Sequence, residues 1–180
     1  IINREDRTLN FMVMAAIGKI IDSNPVVGGR TTNQILDTWK DGIFLKKEDI
    51  TRNIKGLRSP QIGAVYAVLS HWEISSDPAT VVMPTGTGKT EVMLSLLIAA
   101  TCSKTMIIVP TDALRTQISN KVASLGLLSN PQFGLIKETV LKPIVGVMSH
   151  RPCSAEEAIA FMEQCNVCLL YTSPSPRDRG

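Results

Sequence analysis

The run Met83-Pro84-Thr85-Gly86-Thr87-Gly88-Lys89-Thr90 sets the frame for everything around it. Gly86 and Gly88 permit backbone angles that other residues resist, and they let the chain approach an anion closely. The amides from Gly86 to Lys89 can then point inward as a cradle. A helix opening near Lys89 adds its positive N-terminal end. The Lys89 ammonium suits the β and γ phosphates, which makes it the candidate catalytic group as well. The Thr90 hydroxyl suits Mg²⁺, while Pro84, Thr85 and Thr87 complete the loop. The general pattern asks for Gly at the first position, where this chain has Met83. The plain alternative is a chance Gly-Lys-Thr turn that binds nothing.

The flanks supply the context such a loop needs. Thr80-Val81-Val82-Met83 reads as a short apolar strand ending at the Gly-rich turn, and Glu91–Ala100 as a helix apolar on nearly every side, hence buried against a sheet. Ahead of them, Ile62, Val65, Tyr66 and Leu69 recur at helical spacing. Beyond them, Thr105–Val109 is a β-rich run closed by Pro110. Leu114, Ile118, Val122 and Leu125 mark the next helix, with Gly126 as its stop. Ile144–Met148 reads as a third strand. Ser154-x-x-Glu157 is a capping box for a helix with Ala158, Phe161 and Met162 inward, and a fourth strand begins at Asn166. Strand and helix alternate, which argues for a parallel, doubly wound α/β sheet. The first 55 residues show mixed helical patterning broken at Asn24-Pro25 and Gly28-Gly29, with Thr31 or Thr32 capping a helix that carries Ile35, Leu36 and Trp39.

Three stretches together resemble the superfamily-two helicases, in the DEAD/DEAH-box-like group that includes restriction-enzyme motor subunits. Leu57-Arg58-Ser59-Pro60-Gln61, with Gln61 placed 28 positions before Lys89, resembles the family's adenine-reading Gln motif. A Gln side chain offers a donor and an acceptor to the adenine edge; taken alone, Gln61 reads better as a surface residue near a helix start, and its position relative to the phosphate loop tips the balance. Residues 83–91 match the Walker A motif of the family, acidic Glu91 included. Ile108–Gln117 is similar to motif Ia, where Thr111 and Arg115 would hold nucleic-acid phosphates; a solvated helix charge is the rival for Arg115. Cys165-Asn166-Val167 resembles the start of the strand leading to motif Ib. The resemblance covers roughly 110 of the 180 residues.

It implies an incomplete RecA-like P-loop parallel sheet with flanking helices. It also implies ATP and Mg²⁺ as cofactors, and nucleic acid as partner, DNA ahead of RNA. The expected division is a helical accessory segment (1–56), part of a first ATP-binding lobe (57–167) and a tail (168–180), with the second lobe outside the chain. No Asp-Glu dipeptide occurs in the sequence. The family holds Mg²⁺ from its second side with that pair, so the fragment is expected to bind nucleotide weakly without turning it over, while the intact parent is an ATPase. The alternatives are another P-loop NTPase or kinase, or a non-enzymatic nucleotide-binding scaffold.

Composition adds little. Nineteen basic against sixteen acidic groups leave a net charge of +3, dispersed rather than clustered, so charge alone names no nucleic-acid partner. No apolar run is long enough for a membrane span. Four cysteines, Cys102, Cys153, Cys165 and Cys168, without secretory context point to reduced thiols in a cytoplasmic protein. Cys165 and Cys168 have C-x-x-C spacing, with only His71 and His150 as further ligand candidates. The first Met is Met12, and both ends read as cut. Cys168–Asp178 (CLLYTSPSPRD) back-translates as a transposase sequencing adapter, which would remove Cys168 from the native protein; a natural Ser-Pro-rich linker is the alternative.

Overall fold

The computed structural model describes residues 17–25 and 30–172; Met12, the Gly28-Gly29 break and the tail from Ser173 lie outside them. The chain divides into two compact units that interleave along the sequence. One takes the residues up to Pro25, Lys104–Ala123 and everything from Pro143; the other takes Val26–Ser103 and Ser124–Lys142.

The first unit is an α/β layer built on four strands, β1 (Gly18–Ile21), β2 (Thr105–Val109), β3 (Val145–Met148) and β4 (Val167–Tyr171), in the spatial order β1-β3-β4-β2. β2, β4 and β3 run parallel, with Val145 and Thr105 both opposite Val167. β1 pairs antiparallel to β3, Ile20 opposite Gly146, so the expected parallel sheet carries one antiparallel edge. Such a mixed edge is common on sheets of this kind. All four residues of β3 are buried, as befits a strand covered on both faces. In the edge strand β2, Ile107 and Val109 turn inward while Met106 and Ile108 stay exposed, the period of two expected of a half-covered strand. Cys168–Tyr171, inside the adapter-like stretch, form most of β4. An apolar run of good β-formers pairs readily beside open strand edges.

Two helices belong to this unit, α4 (Asp112–Ser124) and α5 (Ala155–Glu163). Ser154 caps α5 by accepting from the Glu157 amide at 3.2 Å. Glu157, however, takes the Cys153 amide rather than that of Ser154, so only half of the expected capping box forms. Phe161 packs over Gly146, where an added Cβ would stand 2.9 Å from the ring. On α4 the buried stripe is Arg115, Ser119, Val122 and Ala123, while Leu114 is 38% exposed. Of the predicted stripe, Val122 and Leu125 are fully buried and Ile118 half-buried, while Leu114 is exposed and Arg115 turns inward beside it.

The second unit holds α1 (Thr32–Trp39), α2 (Ser59–Ile74) and α3 (Lys89–Ala99), with a 3₁₀ turn at Gly126–Ser129. Thr31 and Gln34 form a full capping box, Thr31 N–H to Gln34 Oε1 at 2.9 Å and Gln34 N–H to Thr31 Oγ1 at 3.3 Å. Ile35 and Trp39 are buried, and the indole donates to the Leu141 carbonyl at 2.9 Å. Isolated bridges tie Ile43 to Ile136, Lys47 to Leu57 and Asp49 to Ile54. The expected strand at Thr80–Met83 is absent. Those residues have no regular secondary structure, Val82 is 90% exposed, and only Met83 is buried, against Val65 and Val92. A strand requires a neighbour for its ladder bonds, and among the described residues of this unit none lies beside this segment. The helix after it begins at Lys89, where the loop reading places it, and buries Val92, Leu94, Ser95, Leu97 and Ile98.

Candidate functional site

The Gly-rich loop turns sharply into α3. Gly88 is the N-cap, left-handed at φ 83° and ψ 47°, and Lys89 is the first helical residue. Gly86 also has a positive φ of 80°, and a Cβ added there would meet nothing within 4 Å, so the loop's mouth is open at that point. Three donors converge on one oxygen, the Pro84 carbonyl. They are Thr87 Oγ1 at 2.6 Å, Lys89 Nζ at 3.2 Å and the Thr87 amide at 3.4 Å. Thr90 follows in the first turn of α3, half-buried.

The loop is braced from one side by the start of α2. Arg58 Nη1 donates to the Gly86 carbonyl at 3.2 Å, and Gln61 Nε2 donates to the Gly88 carbonyl at 3.3 Å. Gln61 Oε1 accepts the Arg58 amide at 2.8 Å, so both polar ends of this side chain, only 2% exposed, bond within the protein. Arg58 is the residue whose role the sequence did not disclose. Its signal was present in the Arg-x-x-Gln spacing at a helix start, where position N3 folds back on the cap.

Gln61 and Pro84–Thr90 therefore come together in one unit. Thr111 and Arg115 belong to the other. Thr111 caps α4, its hydroxyl accepting the Leu114 amide at 3.3 Å. Arg115 is 8% exposed: Nη1 donates to the Met148 carbonyl, Nη2 pairs with Asp112, and the guanidinium lies 4.8 Å from the Tyr171 ring centre. Its guanidinium is therefore engaged inside this unit rather than solvated along the helix.

No group of three or more metal-ligating side chains occurs among the described residues. All four cysteines are free thiols. Cys165 and Cys168 are buried, and a hydrogen bond between them draws the Cys165 pKa down and, with burial, pushes that of Cys168 up. An open concavity of about 650 Å³ lies along Lys46–Ile50, Ile54 and Ser59, but two lysines and two carboxylates share its lining, which gives no preference for an anion.

The left-handed Gly88 closes a glycine-rich turn and opens a helix whose first residue is Lys89. The family model for the Type III restriction enzyme, res subunit, matches residues 54–145, just over half of the chain. The chain belongs to that family, and the matched segment is a helicase-type ATP-binding domain, consistent with an incomplete RecA-like fold. The match takes in Gln61, the loop, Thr111 and Arg115, and ends at the start of β3. No curated protein and no solved structure matches the chain significantly. No helix among the described residues is long and apolar enough to cross a membrane.

Proposed function

We propose that this chain is the nucleotide-gripping portion of an ATP-driven motor that moves on DNA. The convergence of the Thr87 amide, the Thr87 hydroxyl and the Lys89 ammonium on a single oxygen carries the proposal. Those donors suit a phosphate oxygen as well as a carbonyl, and charge-assisted donation from Lys89 favours the anion. A bound triphosphate would compete with Pro84 for Lys89, and the positive end of α3 would add to the attraction. The residues fit a Mg²⁺ ion in one respect: Thr90 offers a hard oxygen in the first helical turn. Mg²⁺ characteristically takes few protein ligands beside phosphates and water. When bound, the ion would neutralise phosphate charge; Lys89 would orient the β and γ phosphates, and Pro84, Thr85 and the glycines would hold the tail in place.

DNA is favoured over RNA as the track because the family is that of a restriction enzyme subunit. The 180 residues contain no Asp-Glu pair to complete the ion's coordination, so the chain by itself should bind nucleotide and turn it over extremely slowly. Equilibrium titration of the chain with ATP and Mg²⁺, compared with Lys89→Ala, tests the proposal. Loss of at least about tenfold in affinity, the scale of one charged hydrogen bond, is expected. Equal affinity in the variant would remove the loop from the site.

A further inference from the structure

We propose that the loop of residues 46–57 is a contact surface for double-stranded DNA, its exposed tip entering the major groove. The proposal deepens the reading of the chain as part of a motor on DNA and rests on it. The loop lies in the second unit, and up to Asn53 it precedes the segment that the family model matches. Its neck is closed by backbone bonds. Leu57 N–H donates to the Lys46 carbonyl at 2.8 Å and Glu48 N–H to the Leu57 carbonyl at 2.9 Å, while Asp49 and Ile54 exchange both bonds, at 2.9 and 2.8 Å. Asn53, left-handed at φ 53°, returns its amide to the Ile50 carbonyl at 3.2 Å. Lys55 ties the returning arm to Gln132 Oε1 at 2.8 Å and lies 5.6 Å from the Phe133 ring centre. The tip is a built turn.

Residues 46–57 hold four basic and two acidic side chains, so they supply +2 of the chain's net charge of +3. A surplus that looks dispersed along the sequence is thus gathered here. Lys46, Lys47, Arg52 and Lys55 are all exposed, whereas Glu48 and Asp49 are half-buried. Asp49 is spent on the turn itself: its carboxylate accepts from the Thr51 hydroxyl and the Arg52 amide and stands 3.6 Å from the Arg52 guanidinium. Residues 50–55, every one exposed, carry Arg52 and Lys55 and no carboxylate. At the head of the turn Ile50 is 86% exposed. Cations around one apolar side chain match phosphates around base edges.

The major groove of B-form DNA, about 12 Å wide, admits a two-stranded turn whose runs stand about 4.8 Å apart. The cations suit the flanking phosphates, and Ile50 suits the thymine methyl group. Duplex RNA has a deep, narrow major groove that excludes such a tip. A bilayer surface is disfavoured, because one aliphatic side chain offers too little apolar area to hold a protein there.

Fluorescence anisotropy of the whole chain with labelled duplex DNA, across a salt series, tests the proposal. Duplex RNA and phosphatidylglycerol vesicles serve as competing ligands. Lys46→Ala with Lys47→Ala should flatten the plot of log affinity against log salt by about 1.8, two phosphate contacts at about 0.9 each. Ile50→Ser should weaken duplex DNA binding about three- to tenfold, the scale of partly burying one aliphatic side chain, and leave the salt slope unchanged. Ile50→Leu should restore the affinity. All these positions are exposed, so the fold should tolerate each change.

An unchanged salt slope in the double lysine variant, or unchanged duplex affinity in Ile50→Ser, would overturn the inference. So would equal weakening of duplex RNA by Ile50→Ser, or a chain that binds the vesicles as well as duplex DNA. None of these results touches the nucleotide grip, which the ATP titration against Lys89→Ala decides separately.

Discussion

Gly88 concentrates the constraints of the loop in one residue. Its φ of 83° is a conformation that side chains resist, costing roughly 1–2 kcal/mol for a non-glycine residue. A methyl group there would also press on the Gln61 amide and approach the Glu91 carboxylate at 2.9 Å. Gly88→Ala should lower the melting temperature and abolish triphosphate binding, whereas Gly86→Ala, with open space around its Cβ position, should retain more of both. Calorimetry and titration on the two variants check the contrast. The glycines were legible in the sequence because backbone freedom is a property of the residue itself. Arg115 was not. Its partners include the Met148 carbonyl, 33 positions away, and no local spacing reveals such a bond. Hydrogen bonds to charged groups are each worth about 1.5–3 kcal/mol, so Arg115→Ala should destabilise the chain markedly in chemical denaturation. A shift within about 0.5 kcal/mol, typical of a surface charge, would return Arg115 to the surface.

Among the elements, the β-rich run 105–109 and the helices after Ser59 and Ser154 were read correctly from apolar period and caps, since both are local properties. Thr80–Met83 shows the limit of that method. Its four residues have the composition of a strand, but a strand exists only with a partner, and this segment has none among the described residues of its unit. Val82→Asp is the sharpest check. At 90% exposure it should change unfolding free energy by no more than about 0.5 kcal/mol, whereas a charge placed in a central buried strand would cost several times that. The turn Asp49–Ile54 carries a pH dependence. The Asp49 carboxylate accepts from the Thr51 hydroxyl at 2.6 Å and the Arg52 amide at 3.2 Å, and these bonds hold its pKa below the ordinary value. A depressed carboxylate pKa stabilises the fold above the unfolded value and ceases to do so as pH falls through the folded one. Exchange of the Arg52 amide should therefore be retarded at neutral pH, and that protection should fade in acid once the intrinsic rate is corrected. In Asp49→Asn it should not fade.

The chain builds two units from alternating stretches of its sequence, and this division was invisible to periodicity, which sees one segment at a time. The family match from residue 54 to 145 crosses both units, taking the loop and α3 from one and β2 with α4 from the other. What the sequence did convey at this scale was the class, because a P-loop combines residue type, spacing and a helix start in eight consecutive positions. The residues of the loop stand together at the start of α3, and Arg58 and Gln61 from the start of α2 bond two of its carbonyls. Amide hydrogen exchange of residues 84–90 with and without inorganic tripolyphosphate tests the phosphate grip most directly. The Gly86, Thr87, Gly88 and Lys89 amides should slow on binding while α1 is unaffected. Unchanged exchange in the loop under saturating tripolyphosphate would contradict the account.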